Sequence, residues 1–128
     1  MDAVRRAKAA GLVIAGLYYS RWITPTEDNR DADRVSYRYF WMFCPDGAIA
    51  SAPVLAEPAK ITGWFTCDNT TLRNGKLAWQ DGEFLAQMRY ASGTMTWHLE
   101  ILDTGALHLL PAGELDGRLP LHLDLFTP

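Results

Sequence analysis

Along much of this chain apolar side chains recur at every second residue, the period of a strand with one buried face. In 83–90, Phe84, Ala86, Met88 and Tyr90 fall on one side; in 94–102, Met95, Trp97, Leu99 and Ile101 do the same. The stretch 35–47 differs, because both alternating sets are apolar. Val35, Tyr37, Tyr39, Trp41 and Phe43 point one way; Ser36, Arg38, Phe40, Met42 and Cys44 point the other. Aromatic and β-branched residues suit a pleated surface, so this reads as a strand covered on both sides. Such a strand in an antiparallel protein predicts a closed or strongly curved sheet. Pro45-Asp46-Gly47 then ends it in a tight turn, and the rest of the chain is organised around it.

The remaining elements follow from turn residues and spacing. Asp2 caps a short helix over 3–10, which Gly11 terminates. Residues 12–22 read as a first strand, 48–52 as the partner of the long aromatic one, and 61–67 as another strand. The polar segment 24–33 and the segment between Pro53 and Pro58 read as loops. Asn74-Gly75 predicts a hairpin turn between 72–73 and 76–79, and Asp81-Gly82 and Ser92-Gly93 predict two more. Asp103-Thr104-Gly105 joins 94–102 to 106–110; Pro111-Ala112-Gly113 opens a loop through Gly117; 119–126 is the last strand. No long helix is present to make parallel crossovers. The expected fold is therefore all-β: one domain over 1–128, an antiparallel up-and-down barrel of about eight or nine strands with a short N-terminal helix. A two-sheet sandwich is the alternative.

Composition adds limits. Charged residues make up 21% and the net charge is −3, with basic residues scattered, which argues against nucleic-acid binding and against a polybasic membrane patch. The apolar run 9–19 is too short to span a bilayer, and no small-residue cleavage site follows it. The chain is accordingly taken as unprocessed and cytoplasmic. Cys44 and Cys67 read as two buried thiols in a reducing compartment, with a single bridge between neighbouring strands as the alternative.

Certain residues carry a family resemblance. Phe43-Cys44-Pro45-Asp46-Gly47-Ala48-Ile49 resembles the aromatic-x-x-Asp-Gly-x-apolar hairpin of lipocalin-like (calycin-type) barrels. Gly16-Leu17-Tyr18 stands where such proteins carry Gly-x-Trp, with Tyr18 replacing the Trp. With Gly63-Trp64-Phe65, the first half is also similar to the C-terminal β-domain of the F-box-only-protein-nine group, although no F-box is present. The lipocalin resemblance implies a small apolar ligand within a barrel; the F-box resemblance implies a protein partner.

An eight-stranded barrel is wide enough for one small ligand, and the chain has five each of Trp, Tyr and Phe to line it. The expected ligand-binding residues are Arg38, Tyr18, Tyr37, Tyr39, Phe40, Trp41, Trp64, Met88, Tyr90 and Trp97. Arg38, in mid-strand, would anchor a carboxylate or enolate, or else lie outward with its stem on apolar surface. His98, Glu100, His108 and His122 fall close together if the 103–105 loop is a three-residue hairpin, but opposite a core stripe, so they are expected to face solvent and no metal is assigned. No catalytic residue and no cofactor are assigned. The leading expectation is a binder of a small apolar or amphipathic molecule. The alternatives are a cofactor-free cyclase or isomerase using the same pocket and a protein-interaction module; a homodimer is a further possible partner arrangement.

Overall fold

A computed structural model describes residues 2–23, 36–91, 93–112 and 120–128. Asp2 caps helix α1 (Ala3–Ala9), its Oδ1 accepting the Arg5 amide at 2.7 Å. Eight antiparallel strands follow: β1 (Tyr18–Tyr19), β2 (Arg38–Phe43), β3 (Ala48–Val54), β4 (Arg73–Gln80), β5 (Glu83–Tyr90), β6 (Gly93–Ile101), β7 (Leu107–Pro111) and β8 (Leu121–Leu125). Each pairs with its neighbours in sequence, and β8 returns to β1, so the barrel closes. No helix among the described residues is long and apolar enough to cross a membrane.

The inner face is the odd-numbered one on β2. Trp41 and Phe43 pack with Tyr18, Ile49, Leu77, Trp97 and Leu107 in one buried cluster. Helix α1 lies against one end of the barrel, where Ala7 and Leu12 complete that cluster. The Cys44–Gly47, Asp81–Gly82 and Leu102–Ala106 connections gather at this end. At the first of them Gly47 takes φ 94°, a conformation that disfavours side chains, as the turn demands. There Asp46 is held below the usual carboxylate range, first by the Ala48 amide and then by its ion pair with Arg73.

The outer face of β2 is covered too, as its two apolar sets require. Residues 55–72 cross outside β1–β3 as a strap, whose Ile61 and Phe65 bury against Phe40, Met42 and Ala50 in a second cluster. The predicted strand over 61–67 is therefore not a strand. Ile61 and Phe65 are one helical turn apart, with the Phe65 amide donating to the Ile61 carbonyl at 2.8 Å, and both face inward. A disulfide between Cys44 and Cys67 ties the strap to the end of β2, with a Cα–Cα separation of 5.7 Å. This overturns the reading of two buried thiols.

Two other expectations are corrected. Asn74-Gly75 is no hairpin turn but lies within β4, where the register with β3 shifts at Ile49/Ala50. Gly75 faces the interior; a Cβ there would collide with Met88 Sδ. The first strand shrinks from 12–22 to two residues. Ala15 adopts φ 63°, and the ladder resumes through scattered bonds such as the Ser20 amide to the Tyr39 carbonyl at 2.9 Å. The loop placed at 24–33, the strand start at Val35, Ser92, the loop from Gly113 to Gly117 and Leu119 lie outside the described residues.

Candidate functional site

The strand faces sort the expected ligand residues into two groups. Tyr18, Tyr37, Tyr39, Trp41, Met88, Tyr90 and Trp97 sit on inward-facing positions of β1, β2, β5 and β6 or the bridge at Tyr37. Arg38 and Phe40 lie on the outer face of β2, and Trp64 is 44% exposed on the strap.

Within the inner group, depth along the barrel sets the chemistry. β2 and β6 stand opposite one another in the ring of eight, and Trp41 meets Trp97 edge-on across the lumen, with ring centroids 6.3 Å apart. Both indoles are buried and together make a floor. Below the floor, toward α1, the lining is apolar apart from the Tyr18 hydroxyl, which accepts the Val13 amide at 3.0 Å. Burial pushes the Tyr18 phenol above its usual value, and that hydrogen bond offsets the rise only in part.

Above the floor the lining turns polar. The Tyr37 and Tyr39 hydroxyls lie 3.4 Å apart, with their rings edge-to-face at 5.3 Å. Trp97 Nε1 donates to the Tyr90 hydroxyl at 3.1 Å. Ser51, opposite Trp41 on β3, donates to Asn74 Oδ1 at 2.9 Å. The three tyrosines are half-buried, as are Met95 and Leu121 beside them. Beyond Ala50, β3 pairs with β2 alone, because β4 begins at Arg73. Pro53 is accommodated on this one-sided stretch, where a ladder donor is dispensable. The far half of the barrel thus combines an apolar lining with phenol, hydroxyl, amide and indole groups, the mixture that fixes amphipathic ligands.

Arg38 does something else. Its guanidinium lies between the Tyr19 and Trp22 rings, 5.1 and 4.6 Å from their centroids, and donates to the Ser20 carbonyl at 2.9 Å. It also reaches Glu57 on the strap at 3.4 Å, and its side chain is only 13% exposed. Arg38 therefore joins β1 to the strap on the outer face, opposite to the face that carries Tyr39 and Trp41. Buried Ser20 reinforces the same seam: its Oγ accepts the Tyr39 amide at 2.9 Å.

The histidines are placed as the three-residue hairpin requires. Leu102 donates to Ala106, Glu100 lies opposite His108, and His108 lies opposite His122. All face outward. His98 pairs with Glu83, His108 with Glu100 at 3.7 Å, and His122 with Asp124 at 3.1 Å. Among the described residues no three metal-ligating side chains are grouped to hold an ion.

Sequence reasoning missed Ser51 and Asn74. Ser51 is legible in part, since it shares the parity of Ile49, but the local signature of Asn74-Gly75 is that of a turn and hides its partner. Compared with protein-family models, curated proteins and solved structures, the chain finds no match.

Proposed function

We propose that this barrel binds a small apolar or amphipathic molecule in its far half, above the Trp41–Trp97 floor. The observation that supports this most is the ring of half-buried phenols on an otherwise apolar lining. The Tyr37 and Tyr39 hydroxyls lie 3.4 Å apart, close enough for one ligand oxygen to reach both. The Trp97–Tyr90 bond sets a second donor–acceptor pair above the same floor. The antiparallel eight-stranded barrel is consistent with a lipocalin-like fold in general. We further propose kinship with the calycin-type barrels, on the Phe43–Ile49 hairpin and Gly16-Leu17-Tyr18. The disulfide fits an oxidising setting better than the cytoplasm expected from the sequence.

The test is a titration with 1-octanol and octanoate, followed by NMR at the Trp97 indole N–H. Saturable shifts there are expected, weakened several-fold in Tyr39→Phe and Tyr90→Phe. An indole signal that stays still at high probe, or equal affinity in both variants and the parent, would sink the reading.

A further inference from the structure

We propose a second binding site, at the opposite end of the barrel, for a planar aromatic carboxylate. It is independent of the tyrosine-lined half. A groove of about 580 Å³ runs between α1 and the β4–β5 hairpin, lined by Arg5, Arg6, Ala9, Ala10, Trp79 and Phe84. It is open to solvent along one side and apolar along its floor, which leaves a flat aromatic ring one face to lie on. Ala9 and Ala10 are the cause of the gap, since their short side chains leave the hairpin rings uncovered on that side.

The two hairpin rings meet at a tilt of 60° and form an aromatic corner. Trp79 and Phe84 are cross-strand partners beside the Asp81–Gly82 turn, with centroids 4.6 Å apart. The Arg6 guanidinium lies over the Trp79 ring, its Cζ 4.8 Å from the centroid. Seated over the indole, the guanidinium keeps its planar fork of N–H donors, which meets a carboxylate by two parallel bonds.

The charges call for an anion. Among the described residues neither Arg5 nor Arg6 is paired with a carboxylate. Asp2 accepts the Arg5 backbone amide, Glu83 is held by His98, and Asp81 in the adjoining turn pairs with neither arginine. Arg6 Nε is buried without a hydrogen-bond partner. Two arginines on one groove beside an aromatic floor, neither paired with a carboxylate among the described residues, are complementary to an acid carried on a flat ring. The ring would lie against Trp79 and Phe84, the carboxylate would meet the Nη groups of Arg6, and Arg5 would supply the second positive charge.

The test uses 2-naphthoate and its neutral twin 2-naphthamide on the intact protein, read by NMR at the Trp79 indole N–H and the Ala9 and Ala10 amides. Naphthoate is expected to give saturable shifts at these positions, with naphthamide at least tenfold weaker. Arg6→Gln should weaken naphthoate about tenfold, and the more exposed Arg5→Gln two- to threefold. The naphthamide comparison needs no variant, so it stands even if one folds poorly. Equal affinity for acid and amide would overturn the proposal. So would naphthoate shifts confined to the Trp97 indole, which would favour the tyrosine-lined site instead.

Discussion

Breaking the Cys44–Cys67 bond tests how the strap is held. The bond closes a loop with a sequence separation of 23, and such a cross-link restricts the unfolded chain by about 3.4 kcal/mol at 25 °C on the chain-entropy account. In the folded state the strap has its own anchors. Ile61 and Phe65 are each 1% exposed, worth about 1.5–3 kcal/mol apiece in apolar burial. Reduction is therefore expected to leave the barrel folded and lower its resistance to unfolding. With a urea m-value of about 1.5 kcal/mol/M, the midpoint should fall by about 2 M. Cys44→Ala/Cys67→Ala should reproduce the shift without reductant, with an unchanged far-ultraviolet spectrum. Amide exchange should quicken first across 61–67, the segment left with the fewest constraints. A midpoint that moves by less than 0.5 M, or two thiols that titrate in protein never exposed to reductant, would refute the reasoning.

Two further outcomes are expected. Arg38→Ala should cost about 2 kcal/mol of stability in denaturant melts, from the loss of its bond to Ser20 and its stacking on Tyr19 and Trp22. Glu57→Ala should cost less than about 0.5 kcal/mol, since that carboxylate is 57% exposed, and octanoate affinity should be unchanged in both; a weaker Arg38→Ala complex would return Arg38 to the ligand site. Tyr18 ionises later in the folded protein than in the unfolded chain, so its contribution makes stability fall as pH rises above about 10. Tyr18→Phe should flatten that fall in alkaline melts while costing about 1 kcal/mol at neutral pH, where the Val13 amide loses its acceptor; an alkaline slope identical to the parent's would contradict the burial of this phenol.

Short-range features of the chain were readable without coordinates. Period-two runs located β5 and β6 and their inward stripes, Asp2 located the helix start, and Asp81-Gly82 located a tight turn, because each depends on neighbours a few residues away. The two apolar sets of β2 announced that both its faces are covered. Which set faces the lumen was not readable, since that follows from β1 joining β2 to β8 and closing the ring. The same closure put Arg38 and Tyr19 outside and Tyr18, Tyr39 and Tyr90 inside. Asn74-Gly75 has the local signature of a turn, yet Met88 packing against Gly75 from the neighbouring strand keeps it in β4. Ile61–Cys67 has strand-like residues, yet it bends to cover Phe40 and to bring Cys67 within bonding reach of Cys44. Periodicity records which residues share a face; which faces meet is settled by contacts between segments far apart in sequence, and both candidate sites are built from such meetings.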